Sequence, residues 1–173
     1  MLHDDLLDQA YLVLDSDARK PRQANLRRAI STAYYVLFHA LGDQISRQVV
    51  SSKRDDQELR DLVRRGLEHA EMKVAAVGFA KGNPKVIYKK AVGVAGVPRK
   101  VQRVAQLFVE LQELRHRADY DTSAYFAKIE AKTAVDDAKR ALSLLREARE
   151  ETPKYMRLFL LTLLLHGTLK NRT

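Results

Sequence analysis

A chain of 173 residues, 46% hydrophobic and 31% charged, has enough apolar material for a buried core and is not composed like a disordered protein. It contains no cysteine, which excludes disulfides, cysteine nucleophiles and thiolate metal sites. Its 31 lysines and arginines against 22 acids leave a formal charge of +9, a balance that attracts phosphate polymers.

Residues 2 to 14 place Leu2, Leu6, Leu7, Ala10, Tyr11, Val13 and Leu14 on an amphipathic stripe, with Asp4, Asp5 and Asp8 near the end where a helix dipole favours acids. These acids stand where a signal peptide would carry lysines and an apolar core, so a soluble, cytoplasmic protein is expected. Pro21 breaks the pattern. From Gln23 to Ile45, Leu26, Ala29, Ile30, Ala33, Leu37, Ala40 and Leu41 recur at three and four, and Tyr34, Tyr35, Val36 and Phe38 widen the arc. A helix apolar over so much of its surface is expected to be central and packed on several sides. The charged link SSKRDDQE leads to a predicted helix from about Asp56 to Phe79.

From Gly78 to Pro98, four glycines and two prolines punctuate a β-branched, basic stretch, read as a long loop with a short element around Val86 to Val92. Between Met72 and Val109 there is no acid, while Lys73, Lys81, Lys85, Lys89, Lys90, Arg99, Lys100 and Arg103 supply eight positive charges. Lys81, Lys85, Lys89, Lys90, Arg99, Lys100 and Arg103 are the candidate nucleic-acid contacts. The bland reading of the same residues is a solvated loop.

Helical periodicity resumes at Lys100 through Val101, Val104, Ala105, Phe108 and Leu111 and ends in LRHRADYD, residues 114 to 121. After the connection DTSAYF, a helix is predicted from about Lys128 to Glu150, with Ala131, Ala134, Val135, Ala138, Ala141, Leu142 and Leu145 on one side. Pro153 restarts a last segment in which seven of the eight residues from Leu158 to Leu165 are apolar. A bilayer needs about 20 such residues, so a buried or interface helix is expected and no membrane association. The class is all-α.

In LRHRADYD, residues four apart align on a helix. Arg115 and Asp119 continue the stripe of Phe108 and Leu111, and His116 and Tyr120 pair on the neighbouring face. Two readings compete. In the structural one, Arg115 and Asp119 form a local ion pair worth a few tenths of a kcal/mol when exposed. Tyr120 then buries its ring, and Asp121 or Thr122 caps the next segment. In the functional one, the guanidinium matches phosphate oxygens and the imidazole carries protons, which suits metal-free cleavage of RNA by its own 2′-hydroxyl. Elsewhere, His39 reads as a core histidine, Arg64 and His69 as a chance spacing, and His3 and His166 as isolated. No metal-ligand spacing, phosphate loop or nucleophile motif stands out, and no cofactor is expected.

Two segments together, LRRAISTAYYVLFHAL and ELRHRADYD followed by an alanine-rich helix, resemble the HEPN domain family, and in particular its small bacterial branch with an Arg-x-x-Ala-Asp-Tyr motif. The resemblance covers Leu2 to about Leu145. It implies an up-and-down bundle of four to five core helices over residues 1–150; outside the resemblance, 78–98 is expected to be a basic Gly-rich loop or insertion and 151–173 a C-terminal helical extension. It further implies a homodimer that binds RNA or nucleotides in a cleft between protomers. Many members are metal-independent endoribonucleases of toxin–antitoxin or defence systems, and others pair with a small nucleotidyltransferase. Arg115 matches the arginine of the family's Arg-x(4–6)-His motif, but Tyr120 stands at the histidine position. On this reading Arg115 stabilises the phosphorane, His116 moves protons and Asp119 orients Arg115. Tyr120 contacts the ribose or base, or accepts a nucleotidyl group. The alternative is a non-catalytic helical interaction protein whose 158–165 stripe docks a partner.

Overall fold

A computed structural model describes residues 1–16, 21–51, 53–85, 88, 90 and 96–169. Among them are seven α-helices, one 3₁₀ turn at Arg54–Asp56 and no strand, so the chain is all-α. The helices are α1 (Leu2–Asp15), α2 (Gln23–Val49), α3 (Gln57–Arg65), α4 (His69–Ala80), α5 (Arg99–Tyr120), α6 (Lys128–Glu151) and α7 (Pro153–Leu169). No helix of the described residues is long and apolar enough to cross a membrane. The chain divides into two compact units, Met1–His39 with Leu107–Ser143, and Ala40–Gln106 with Leu144–Thr173. Helices α2, α5 and α6 contribute residues to both.

In the first unit, α1 buries Ala10 and Leu14, and its Tyr11 hydroxyl donates to Asp136 of α6 at 2.9 Å. The α2 stretch is buried nearly all round, with Leu26, Ala29, Ile30, Ala33, Tyr34, Val36 and Leu37 inaccessible. This is the central position that its wide apolar arc demands. The connection between α5 and α6 is held from α2. The Gln23 amide both donates to the Phe126 carbonyl and accepts from the Phe126 N–H, each at 2.9 Å. Arg27 donates to the carbonyls of Ala118 and Asp121, both at 2.9 Å, and to that of Ala124. The buried Phe126 ring lies 5.2 Å from the Arg27 guanidinium and 5.4 Å from that of Arg117. Asp121 closes an Asx turn, accepting from the Ser123 hydroxyl, the Ser123 N–H and the Ala124 N–H. The Ser123 hydroxyl first, and then these amides, hold the Asp121 carboxyl below the usual carboxylate range.

In the second unit, the helix expected over 56–79 is two helices. Gly66 ends α3, its N–H bonded to the Leu62 and Val63 carbonyls, and Glu68 is extended. The break lets Leu67 turn inward against Gly42 of α2, where an added Cβ would meet the leucine methyl at 3.2 Å. Gly78, expected to open a loop, instead lies in the last turn of α4. Apart from Tyr88 and Lys90, the short element expected around Val86 to Val92 lies outside the described residues. The terminal nitrogens of Arg60, only 4% exposed, donate to the carbonyls of Ser51 and Lys53 and to the Gln57 side chain, while its Nε has no partner among the described residues. Much of the apolar run of α7 is used within this unit, while Leu161 and Leu164 are half-buried and Leu165 is 39% exposed. The helix packs on α4, with the Phe79 and Phe159 rings 5.0 Å apart, and Leu158, Phe159, Leu160 and Leu163 are buried. Each such side chain contributes about 1.5–3 kcal/mol by leaving water, which is why the sequence can carry so apolar a segment.

Candidate functional site around Arg115

The last two turns of α5 bring Arg115 against α2 within the first unit. Its Nε lies 2.7 Å from Asp119 Oδ2, the two side chains being 16% and 26% exposed. The Nε proton is not aimed along that line, so the contact is Coulombic rather than a hydrogen bond. One terminal nitrogen donates to the Tyr35 hydroxyl at 2.9 Å. The guanidinium also sits 5.5 Å from the Tyr35 ring centre, 5.8 Å from Tyr34 and 5.4 Å from Tyr120, within cation–π range of three tyrosines. Partial burial works against the arginine's charge, but Tyr35 and Asp119 more than offset it and raise its pKa. Burial pushes the Tyr34 phenol up, so it stays neutral beneath the guanidinium. The Ser31 hydroxyl reaches Asp119 Oδ2 at 3.4 Å.

The second pair faces outward. His116 is exposed, and its ring centre lies 5.0 Å from that of Tyr120. Tyr120 is 63% exposed rather than buried, contrary to the structural reading of this residue. Four of the predicted residues are therefore together. Half-buried Arg115 and exposed Asp119, its side chain 26% accessible, form a base, with His116 and Tyr120 as an aromatic rim.

Tyr35 and Ser31 belong to the same cluster although the sequence did not single them out. Their signal was present: Ser31, Tyr35 and His39 stand four apart, a polar stripe on an otherwise apolar helix. His39 stacks on Tyr35 at 6.1 Å and is half-buried.

Chemically, the arrangement offers a spare donor beside an aromatic rim. The other terminal nitrogen of Arg115 has no acceptor among the described residues, so it can take a phosphate oxygen. His116 has no hydrogen-bonding group among the described residues to orient it as a base or acid. No group of three metal-binding side chains occurs among the described residues.

The basic stretch lies in the second unit. Lys81, Lys85, Lys90 and Arg99 are exposed and Arg103 is half-buried, while Lys89 lies outside the described residues. Lys100 is not a free cation. It bridges Glu147 and Glu151 of α6, each at 2.6 Å, and these bonds raise its pKa, Glu147 first. Arg64 is likewise engaged, with Asp61, Asp43 and Ser46, which leaves its spacing to His69 without catalytic meaning.

Compared with protein-family models, with curated proteins and with solved structures, the chain matches none of them.

Proposed function

We propose that this protein binds RNA or a nucleotide, as a homodimer, at the surface formed by Arg115, His116, Asp119 and Tyr120. The observation that carries the reading is a guanidinium pre-positioned by Tyr35 and Asp119, with one terminal nitrogen uncommitted among the described residues, beside an exposed histidine and tyrosine. Arginine grips phosphate and exposed aromatic rings stack on unpaired bases at about 1–3 kcal/mol each, so the two functions stand side by side. Lys81, Lys85, Lys90 and Arg99 add exposed positive charge suited to the same polymer. Binding rather than cleavage is the favoured form, because Tyr120 stands at the family's histidine position and nothing among the described residues orients His116.

The experiment is fluorescence anisotropy of a labelled single-stranded RNA, read against salt, for wild type, Arg115→Ala and Tyr120→Ala. The same RNA is incubated with EDTA and analysed on a gel. Salt-sensitive binding weakened by both substitutions supports the reading. No binding, or equal binding by all three proteins, refutes it. EDTA-resistant cleavage lost in Arg115→Ala and His116→Ala would extend the reading to an endoribonuclease. Light scattering at micromolar concentration tests the dimer.

A second reading has one observation of its own. The Tyr120 hydroxyl is exposed and makes no hydrogen bond among the described residues, as an acceptor of a nucleotidyl group from a partner enzyme would require. Intact mass measured after co-expression with a candidate nucleotidyltransferase checks it.

A further inference from the structure

The second unit holds a cavity of about 640 Å³, separate from the residues around Arg115. Arg47 and Gln48 near the end of α2, Arg149 near the end of α6 and Arg157 near the start of α7 line it. Pro153 gives the apolar wall its exposed surface, backed by Met156 and Leu160, which are only 1% and 4% exposed. Its volume is that of small-molecule sites, on the order of 300–1,000 Å³.

Two of the three arginines have no carboxylate partner among the described residues. Arg47 pairs with Asp43 at 2.8 Å, and Arg64, 3.3 Å from the same carboxylate, is held by Asp61 as well. Arg149 donates to the Gln44 amide oxygen at 3.0 Å, which adds no negative charge. Neither Arg149 nor Arg157 has a carboxylate partner among the described residues. Of the three glutamates at this end of α6, Glu147 and Glu151 are held by Lys100, and Glu150 is exposed.

Two of these charges have a local rationale, since arginines near the ends of α2 and α6 complement the negative end of a helix dipole. Arg157 has none. The first turn of α7 contains no acid and carries Lys154, with Arg157 just beyond, so cations gather at the positive end of that helix. Its backbone is nevertheless fixed in the wall, because the Gln48 side chain donates to the Arg157 carbonyl at 3.0 Å. Three guanidiniums around one space, two of them without a carboxylate partner among the described residues, suit an anion of several charges.

We infer that this cavity binds a nucleoside di- or triphosphate, its phosphates among Arg47, Arg149 and Arg157 and its base against Pro153. The inference does not depend on the Arg115 surface, which lies in the other unit.

The test is isothermal titration calorimetry of the full chain with ATP, tripolyphosphate and adenosine. The variants are Arg149→Gln, Arg157→Gln and the double substitution, each made in wild type and in Arg115→Ala so that nucleotide binding at the other surface is removed, with circular dichroism to verify folding. Both arginines are exposed, so the fold is expected to survive. ATP should still bind Arg115→Ala, in which only this cavity remains. In that background each single substitution should weaken binding about tenfold, and the double one should abolish it. Tripolyphosphate should bind less tightly than ATP, and adenosine least. Absence of ATP binding, or its loss in Arg115→Ala but not in the Arg149 and Arg157 variants, overturns the inference. Tripolyphosphate binding as tightly as ATP overturns the assignment of the apolar wall to the base. A 5′-phosphorylated RNA that needs Arg149 and Arg157 while ATP does not bind overturns the free nucleotide.

Discussion

Replacing Asp119 with asparagine separates the two things that this carboxylate does. It neutralises Arg115, and it helps to hold it. Exposed ion pairs of this helical spacing contribute about 0.3–0.5 kcal/mol, and breaking a fully buried pair costs about 3–5 kcal/mol. With side chains 16% and 26% exposed, the pair falls between these limits. Asparagine keeps an oxygen near Nε and near the Ser31 hydroxyl, so about 1 kcal/mol is the expected loss. For a chain of this length that lowers Tm by about 2–4 °C.

Affinity should move the other way. Asp119 is the one carboxylate in contact with Arg115 among the described residues, and it repels an incoming phosphate. Its removal should tighten RNA binding about three- to tenfold, or roughly 0.7–1.4 kcal/mol. The increase should be largest at low salt, where surface charges are least screened. Thermal melts and anisotropy on the same preparation read both effects. If Asp119→Asn weakens RNA binding as much as Arg115→Ala does, the carboxylate is needed to orient the guanidinium and the charge argument fails.

Arg27→Lys should cost about 1–3 kcal/mol and lower Tm by roughly 3–10 °C, because an ammonium cannot serve three carbonyls spread over the Ala118–Ala124 turn. An unchanged melt would mean that the turn holds itself. Gly82, at φ 66°, should resist alanine by about 1 kcal/mol through backbone strain alone, since the added methyl would meet only the Gln102 side chain at 3.6 Å. A neutral melt would contradict that. For Tyr11→Phe, the expected effect depends on pH. Burial and the bond to Asp136 push the Tyr11 phenol up to about 12, above its value of roughly 10 in an unfolded chain. Its stabilisation is therefore complete below about pH 10 and lost as pH rises through 12. The Tm gap between wild type and Tyr11→Phe should narrow between pH 9 and 12. A constant gap would show that the phenol is not the titrating partner.

Period made parts of this fold legible in the sequence, and tertiary contact hid the rest. The wide apolar arc of α2 required a central helix because exposing it would cost too much, and Ala29, Ile30, Ala33 and Leu37 are inaccessible. The break at Gly66–Glu68 escaped the same reasoning. Apolar spacing on either side suits one long helix, and only the notch at Gly42 of α2 gives Leu67 a reason to leave it. Charge was legible as a sum but not as pairs. Lys100 counts among the free cations by sequence, yet Glu147 and Glu151, about fifty residues away, hold it, whereas Arg149 and Arg157, isolated in the sequence, line a common cavity. Arg115 shows both sides. Its ion pair with Asp119 is local and could be read from a four-residue spacing. Tyr35, which takes one of its terminal nitrogens, stands 80 positions earlier. That contact turns a tied helix end into a guanidinium with one hydrogen-bonding edge to spare.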